Sequence, residues 1–144
     1  PATETIPGLD GRKMSKSYDN TLELFPEEKA LRKKVMAITT DSTPVDEPKD
    51  PAASSIVALY RLFASESDVE QMETDFRAGG FGYGDFKKRL FEAIWSYFAP
   101  MRARREELAR DPGTVDRVLE EGAERAGAVA AATMKRVREA IGLR

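Results

Sequence analysis

An all-α fold is predicted for this chain: a bundle of about five helices preceded by a mobile, lysine-bearing loop. Three observations carry the prediction. From Leu31 onward, apolar residues recur at the i, i+3, i+4 and i+7 spacing of a helix face in one segment after another. Proline, glycine, serine and aspartate fall between those segments, where helices start and stop. Before Pro26 no such period exists, and the chain instead carries Gly8-Leu9-Asp10-Gly11-Arg12-Lys13-Met14-Ser15-Lys16-Ser17.

Residues 1–25 read as irregular or extended. Thr21-Leu22-Glu23-Leu24-Phe25 alternates enough for a short docked strand or a turn, and Tyr18 to Asn20 reads as the turn that closes the lysine loop. Pro26 suits a first helical position, with Glu27 and Glu28 at the positive end of the helix dipole. Leu31, Val35 and Ile38 then form a core face. Lys29, Arg32 and Lys33 lie largely opposite, a face open either to solvent or to an RNA or substrate.

Residues 39–51 hold prolines 44, 48 and 51 and the acids Asp41, Asp46, Glu47 and Asp50, which predicts a stiff surface loop. A second helix is expected over 52–64, with Ile56, Leu59, Tyr60 and Phe63 inward. Ser67 followed by Glu70 reads as a capping box for a third helix. Val69, Met72 and Phe76 give that helix a buried face, and Gly79-Gly80 stops it. The four glycines of residues 79–84 are read as a helix stop and tight turn in preference to a phosphate cradle.

Asp85 is expected to open a long helix. Phe86, Leu90, Ile94, Tyr97 and Met101 run along one face, and Phe91, Trp95 and Phe98 widen it, so it should be buried between neighbours. Pro100 must kink or end it, because it lacks a backbone donor. Asp111-Pro112 reads as the N-cap and first position of a last helix. Its period runs through Val115, Leu119, Gly122, Ala126, Val129 and Val137 to Ile141, with Gly142 as stop. Eight of the eleven residues 122–132 are Gly or Ala, a flat face that permits close helix approach.

Composition narrows the chemistry. With 144 residues, 41% hydrophobic and 33% charged, the chain should fold. It has no cysteine and no histidine, so thiolate chemistry and the commonest general base and zinc ligand are excluded, and no metal-ligand cluster is predicted. Any chemistry must use charge and positioning. The net charge of −2 confines nucleic-acid contact to local basic patches. No run of about 18 apolar residues predicts a membrane span, and no signal peptide opens the chain. A cytoplasmic protein is expected. Residues 1–5 look like an interior segment, which suggests a piece of a longer protein.

The lysine loop is the chemical centre. Gly8 and Gly11 permit sharp turns. Lys13 and Lys16 are point charges on flexible stems, suited to a phosphate chain that moves during reaction. Ser15 and Ser17 add hydroxyl donors, and Met14 is a flexible apolar anchor. The loop is not a Walker A motif, because neither glycine directly precedes a lysine.

Lys13-Met14-Ser15-Lys16-Ser17 resembles the lysine signature of class I aminoacyl-tRNA synthetases. Its flanks, Pro7-Gly8-Leu9-Asp10-Gly11-Arg12 and Tyr18-Asp19-Asn20-Thr21, resemble those of the bacterial tryptophanyl-tRNA synthetase family. So do Leu31-Arg32-Lys33-Lys34, Thr40-Asp41-Ser42, Pro48-Lys49-Asp50-Pro51, Gly79-Gly80-Phe81-Gly82-Tyr83-Gly84-Asp85-Phe86-Lys87 and Ala99-Pro100-Met101-Arg102. The resemblance implies an ATP-dependent ligase whose α/β nucleotide-binding domain precedes Pro1. Residues 1–25 would then be the lysine loop and the end of the catalytic domain, and residues 26–144 a helical anticodon-binding domain.

It implies Lys13 and Lys16 as catalytic residues on the β- and γ-phosphates, and Lys13, Met14, Ser15, Lys16 and Ser17 as the ATP-binding set. ATP with Mg²⁺ is the implied substrate complex, with no tightly bound cofactor. The implied partners are a tryptophan-specific tRNA, tryptophan, and a second copy in a homodimer. Arg102, Arg104 and Arg105 are candidate tRNA contacts, or else solvent-facing partners of Glu106 and Glu107. The 144 residues alone are expected to be inactive. A non-enzymatic RNA-binding module and a helical interaction domain are the alternatives.

Overall fold

The computed structural model describes residues 5–143. The expected interior segment at residues 1–5 lies, except for Thr5, outside them. The chain divides into two compact units, one through Pro100 and one from Met101. Six α-helices occur among the described residues: α1 (Glu28–Met36), α2 (Ser55–Tyr60), α3 (Glu66–Ala78), α4 (Tyr83–Tyr97), α5 (Ala99–Arg110) and α6 (Pro112–Ala140).

In the first unit α4 is the central helix. It packs against α1 and α2, and α2 packs against α3. The core is Leu31, Val35, Ile38, Ile56, Val57, Leu59, Met72, Phe76, Phe86, Leu90, Phe91 and Ile94, all 4% exposed or less. Phe76 of α3 and Phe86 of α4 meet with ring centroids 3.9 Å apart. Lys87 closes the end of α1 by donating to the Met36 carbonyl at 3.1 Å. Burial pushes its ammonium below the usual lysine range.

Several boundaries differ from expectation, each for a local reason. Glu27, not Pro26, is the N-cap position of α1, and Pro26 lies one residue outside the helix. The second helix is six residues long, because Ala52 is turned back by its N–H bond to Asp50 Oδ1 and the chain after Tyr60 continues as turns. Ser65, not Ser67, caps α3: its hydroxyl accepts from the Asp68 N–H and donates to Asp68 Oδ2 at 2.6 Å. That pairing has the same three-residue spacing two positions earlier.

The fourth helix starts at Tyr83, with Asp85 accepting from the Gly82 N–H. It ends at Tyr97, and Pro100 sits in the first turn of α5, where its missing N–H costs nothing; hence six helices where about five were expected. Gly79 ends α3 with φ 74°, and a Cβ there would lie 2.6 Å from the Asp46 carbonyl oxygen. Gly79 is therefore a helix stop, but residues 79–82 join α3 to α4 without the expected tight turn, Gly82 is the N-cap of α4 and Gly84 lies inside that helix.

In the second unit, Asp111 caps α6 by accepting from the Thr114 N–H, Pro112 is its first residue and Gly142 follows it at φ 76°. No residue of α5 or α6 is buried. No described helix is long and apolar enough to cross a membrane.

Candidate functional site: the lysine loop

The loop is a folded structure despite its lack of regular elements. Pro7 and Lys13 form an isolated antiparallel bridge, and Met14 N–H donates to the Ile6 carbonyl at 2.9 Å. Inside that bridge the Gly8 N–H donates to the Arg12 carbonyl at 2.7 Å and the Gly11 N–H to the Gly8 carbonyl at 3.1 Å. Gly11 has φ 79°, a conformation that favours glycine. Gly8 serves a different need: its backbone touches Asn20, so a Cβ would fall 2.3 Å from the Asn20 Nδ2.

After the bridge, Ser15 caps a single 3₁₀ turn, Lys16–Tyr18, by accepting from the Ser17 N–H at 3.3 Å. Asp19 closes the turn in the left-handed region, φ 50°. Asparagine and aspartate reach this region at least cost among non-glycine residues. No strand forms over residues 21–25. They are tied to α1 by Lys34, whose Nζ donates to the Thr21 carbonyl and pairs with Glu23 at 3.0 Å.

Two contacts fix the loop to the helical core. Met14 and Leu9 pack against that core as partly buried side chains. The Thr39 N–H, just past α1, donates to the Leu9 carbonyl at 2.8 Å. Lys13, Lys16 and Ser17 are exposed, while Met14 and Ser15 are half-buried. The backbone is thus held from below and both ammonium groups face solvent.

From the sequence, Asn20 is read as the end of a turn and as part of the flank of the lysine signature, with no role of its own. It is 2% exposed. Its Oδ1 accepts from the Ser15 N–H at 2.8 Å, and its Nδ2 donates to Asp10 Oδ1 at 2.7 Å and to the Lys13 carbonyl at 3.1 Å. Asp10 is held in turn by Arg12, whose Nε donates at 2.6 Å. The Asn20 bond, opposed by burial and helped by the bonds from Arg12, holds the Asp10 carboxyl below the usual aspartate range. The Arg12 guanidinium lies 4.7 Å from the Tyr18 ring centre.

A cleft of 410 Å³ opens beside the loop, lined among others by Asp10, Asp41, Asp50 and Tyr83. Its carboxylates repel phosphate. Neither Lys13 nor Lys16 is among the residues that line it. The three arginines belong to the second unit. Arg104 pairs with Glu107 at 2.9 Å, both largely exposed, and Arg110 lies 3.7 Å from Glu106. Such pairs on one helix are weak and exchangeable.

The chain is similar to known proteins over nearly its whole length. The family profile of class I tRNA synthetases (W and Y) matches residues 2–99, and the chain belongs to that family. Within it, the chain is 54% identical over 139 residues to the tryptophan–tRNA ligase of Rhodopirellula baltica, covering 96% of this chain and 43% of that protein. It is 43% identical to the tryptophan–tRNA ligase of Fusobacterium nucleatum, covering 96% of this chain and 42% of the relative. The crystal structure of tryptophanyl-tRNA synthetase from Campylobacter jejuni with ADP and tryptophan superposes with a TM-score of 0.92 at 38% identity, over 99% of this chain and 44% of that one. The chain therefore spans less than half the length of the relatives it matches.

Proposed function

We propose that this chain works as part of a tryptophan–tRNA ligase, in which residues 1–25 complete the ATP site and residues 26–144 bind the anticodon region of a tryptophan-specific tRNA. The observation that carries the reading is the lysine loop itself: two exposed lysines on a backbone pinned to a helical core, in a member of the class I family.

In the first step the tryptophan carboxylate oxygen attacks the α-phosphorus of ATP, and the bond from that phosphorus to the bridging oxygen breaks. Tryptophanyl-adenylate and pyrophosphate result. In the second step a hydroxyl of the terminal adenosine of the tRNA takes the amino acid and AMP leaves. Phosphoryl-centre substitution depends on placement and charge neutralisation, which a chain without histidine or cysteine can supply. Lys13 and Lys16 neutralise the charge that grows on the leaving pyrophosphate. Ser15 and Ser17 offer hydroxyls, and Met14 anchors the loop. Mg²⁺ arrives with ATP, held mainly by phosphates and water.

Arg102, Arg104 and Arg105 are the candidate tRNA contacts. Arg104 and Arg105 are exposed and Arg102 is half-buried on one helical segment, which suits single-stranded RNA, where guanidinium groups stack on bases and meet phosphates. The enzyme is proposed to act in the cytoplasm as a homodimer.

Lys16→Ala in the intact ligase tests the loop. ATP–pyrophosphate exchange should fall by at least 100-fold, mainly in kcat, because the interaction belongs to the transition state. A change under about threefold, equivalent to about 0.7 kcal/mol, overturns the assignment. Anisotropy binding of the tryptophan tRNA and an anticodon-replaced tRNA at two salt concentrations tests the helices. Equal binding that salt erases would reduce the contact to unspecific phosphate attraction.

A further inference from the structure

Asn20 sits where the loop's geometry is decided. It is 2% exposed, although Lys16, Ser17, Tyr18 and Asp19 before it are all exposed. Its carboxamide reaches both peptide units that flank Met14: Nδ2 donates to the carbonyl of Lys13, and Oδ1 accepts from the N–H of Ser15. A single planar group therefore sets the backbone direction at the residue that carries the first lysine. It also places Ser15, whose hydroxyl caps the 3₁₀ turn that carries the second.

Two neighbours make this arrangement specific. Asp10 Oδ1 accepts from the same Nδ2 at 2.7 Å, so only the NH₂ end of the amide can face that way, and the oxygen must point to Ser15. Gly8 lets the amide lie against the backbone, since a Cβ there would meet Asn20 Nδ2 at 2.3 Å and Cγ at 2.4 Å.

We infer that Asn20, oriented by Asp10 and admitted by Gly8, is a positioning residue of the lysine loop: it holds the backbone on both sides of Met14 so that Lys13 and Lys16 leave the loop toward the phosphates. The inference rests on the reading of the loop as an ATP-phosphate site. Asn20 touches no reacting atom and acts through the lysines, so its loss lowers the rate of adenylate formation more than it weakens ATP binding. Side-chain flexibility alone does not replace it, because a lysine displaced at its Cα must spend its reach on correcting position.

The test is ATP–pyrophosphate exchange by the intact ligase, read as separate kcat and KM for ATP. Asn20→Ala is expected to lower kcat at least tenfold with KM changed less than threefold. In the Asn20→Ala/Lys16→Ala double variant the combined loss should be smaller than the product of the two single losses, since one of the two lysines that Asn20 positions is already gone. Asn20→Asp sets a carboxylate against Asp10 and should be at least as slow as Asn20→Ala. Adding Asp10→Asn removes the repulsion between carboxylates and restores the bond between the two side chains with its direction reversed; the Lys13 carbonyl still lacks its donor, so the recovery should be at least threefold but short of wild type.

Gly8→Ala displaces the same amide and should give the same split between kcat and KM. If Asn20→Ala fails to fold, as judged by its thermal melt, the comparison of Asn20→Asp with the reciprocal pair decides. Wild-type kinetics in Asn20→Ala, full additivity with Lys16→Ala, or no recovery in the reciprocal pair would each overturn the inference. Full exchange in Lys16→Ala would instead remove the phosphate-site reading on which it rests.

Discussion

Lys49 shows how much one buried charge can organise. It is 4% exposed, and its ammonium donates to the carbonyls of Pro44, Val45 and Glu47 at 2.8, 3.2 and 2.9 Å. Three donors meet three acceptors, with the Tyr83 ring centre 5.6 Å away. The acidic, proline-rich segment is thus wound around a lysine that its composition hides. Lys49→Met keeps the stem and leaves three carbonyls without that donor. It should lower unfolding free energy by about 2–3 kcal/mol, seen as a lower urea midpoint at unchanged slope. An unchanged midpoint would mean that water serves those carbonyls equally well. Asn20 belongs to the same category: a polar residue whose importance comes from where it is buried.

Between elements, α3 and α4 are tied by Arg89, whose Nη1 lies 2.5 Å from Asp75 Oδ2. The Arg89 bond, opposed by burial and helped by Gln71, holds the Asp75 carboxyl below the usual aspartate range. A carboxyl whose pKa is lower in the folded state contributes stability above its unfolded value, about 3.9, and loses it as pH falls through the folded value. Asp75→Ala should therefore cost about 1–2 kcal/mol at neutral pH, discounted for the partly exposed arginine, and the gap to wild type should close below about pH 3.9. A gap independent of pH would assign the loss to packing.

The helices also differ sharply in what they bury. Phe86 of α4 is fully enclosed, whereas Leu119 of α6 is 65% exposed. Phe86→Ala should cost about 3–5 kcal/mol in thermal or urea unfolding, and Leu119→Ala under about 0.5 kcal/mol. A large loss from Leu119→Ala would show that α6 is covered in solution.

At the scale of the whole molecule, the two compact units carry the two sets of proposed contacts: the lysine loop in the first, Arg102, Arg104 and Arg105 in the second. The chain spans less than half of its ligase relatives. These 144 residues alone should show no ATP–pyrophosphate exchange, because in the proposed reading the lysine loop is one part of an ATP site that the rest of the ligase completes. Measurable exchange by the chain alone would overturn that expectation.

The sequence by itself determined the features whose physics is local. The helix faces of Leu31 and Val35 and of Phe86, Leu90 and Ile94 follow from the 3.6-residue period, and all five side chains are buried; Ile38 is buried too, although α1 ends two residues before it. The stop at Gly79 and the start at Asp111-Pro112 follow from backbone freedom and capping. The lysine loop stands out because its residue types are unusual together. Tertiary structure decided the rest. The cap of α3 fell to Ser65 and not to Ser67, which the spacing to Glu70 predicts, because the Ser65 hydroxyl meets Asp68. Asn20 gained its role only when the chain returned it to Gly8, Asp10, Lys13 and Ser15. Lys49 and Lys87 became internal caps only when carbonyls converged on them. A hydrogen bond between residues distant along the chain depends on distance and angle in space, and neither is written in composition or period.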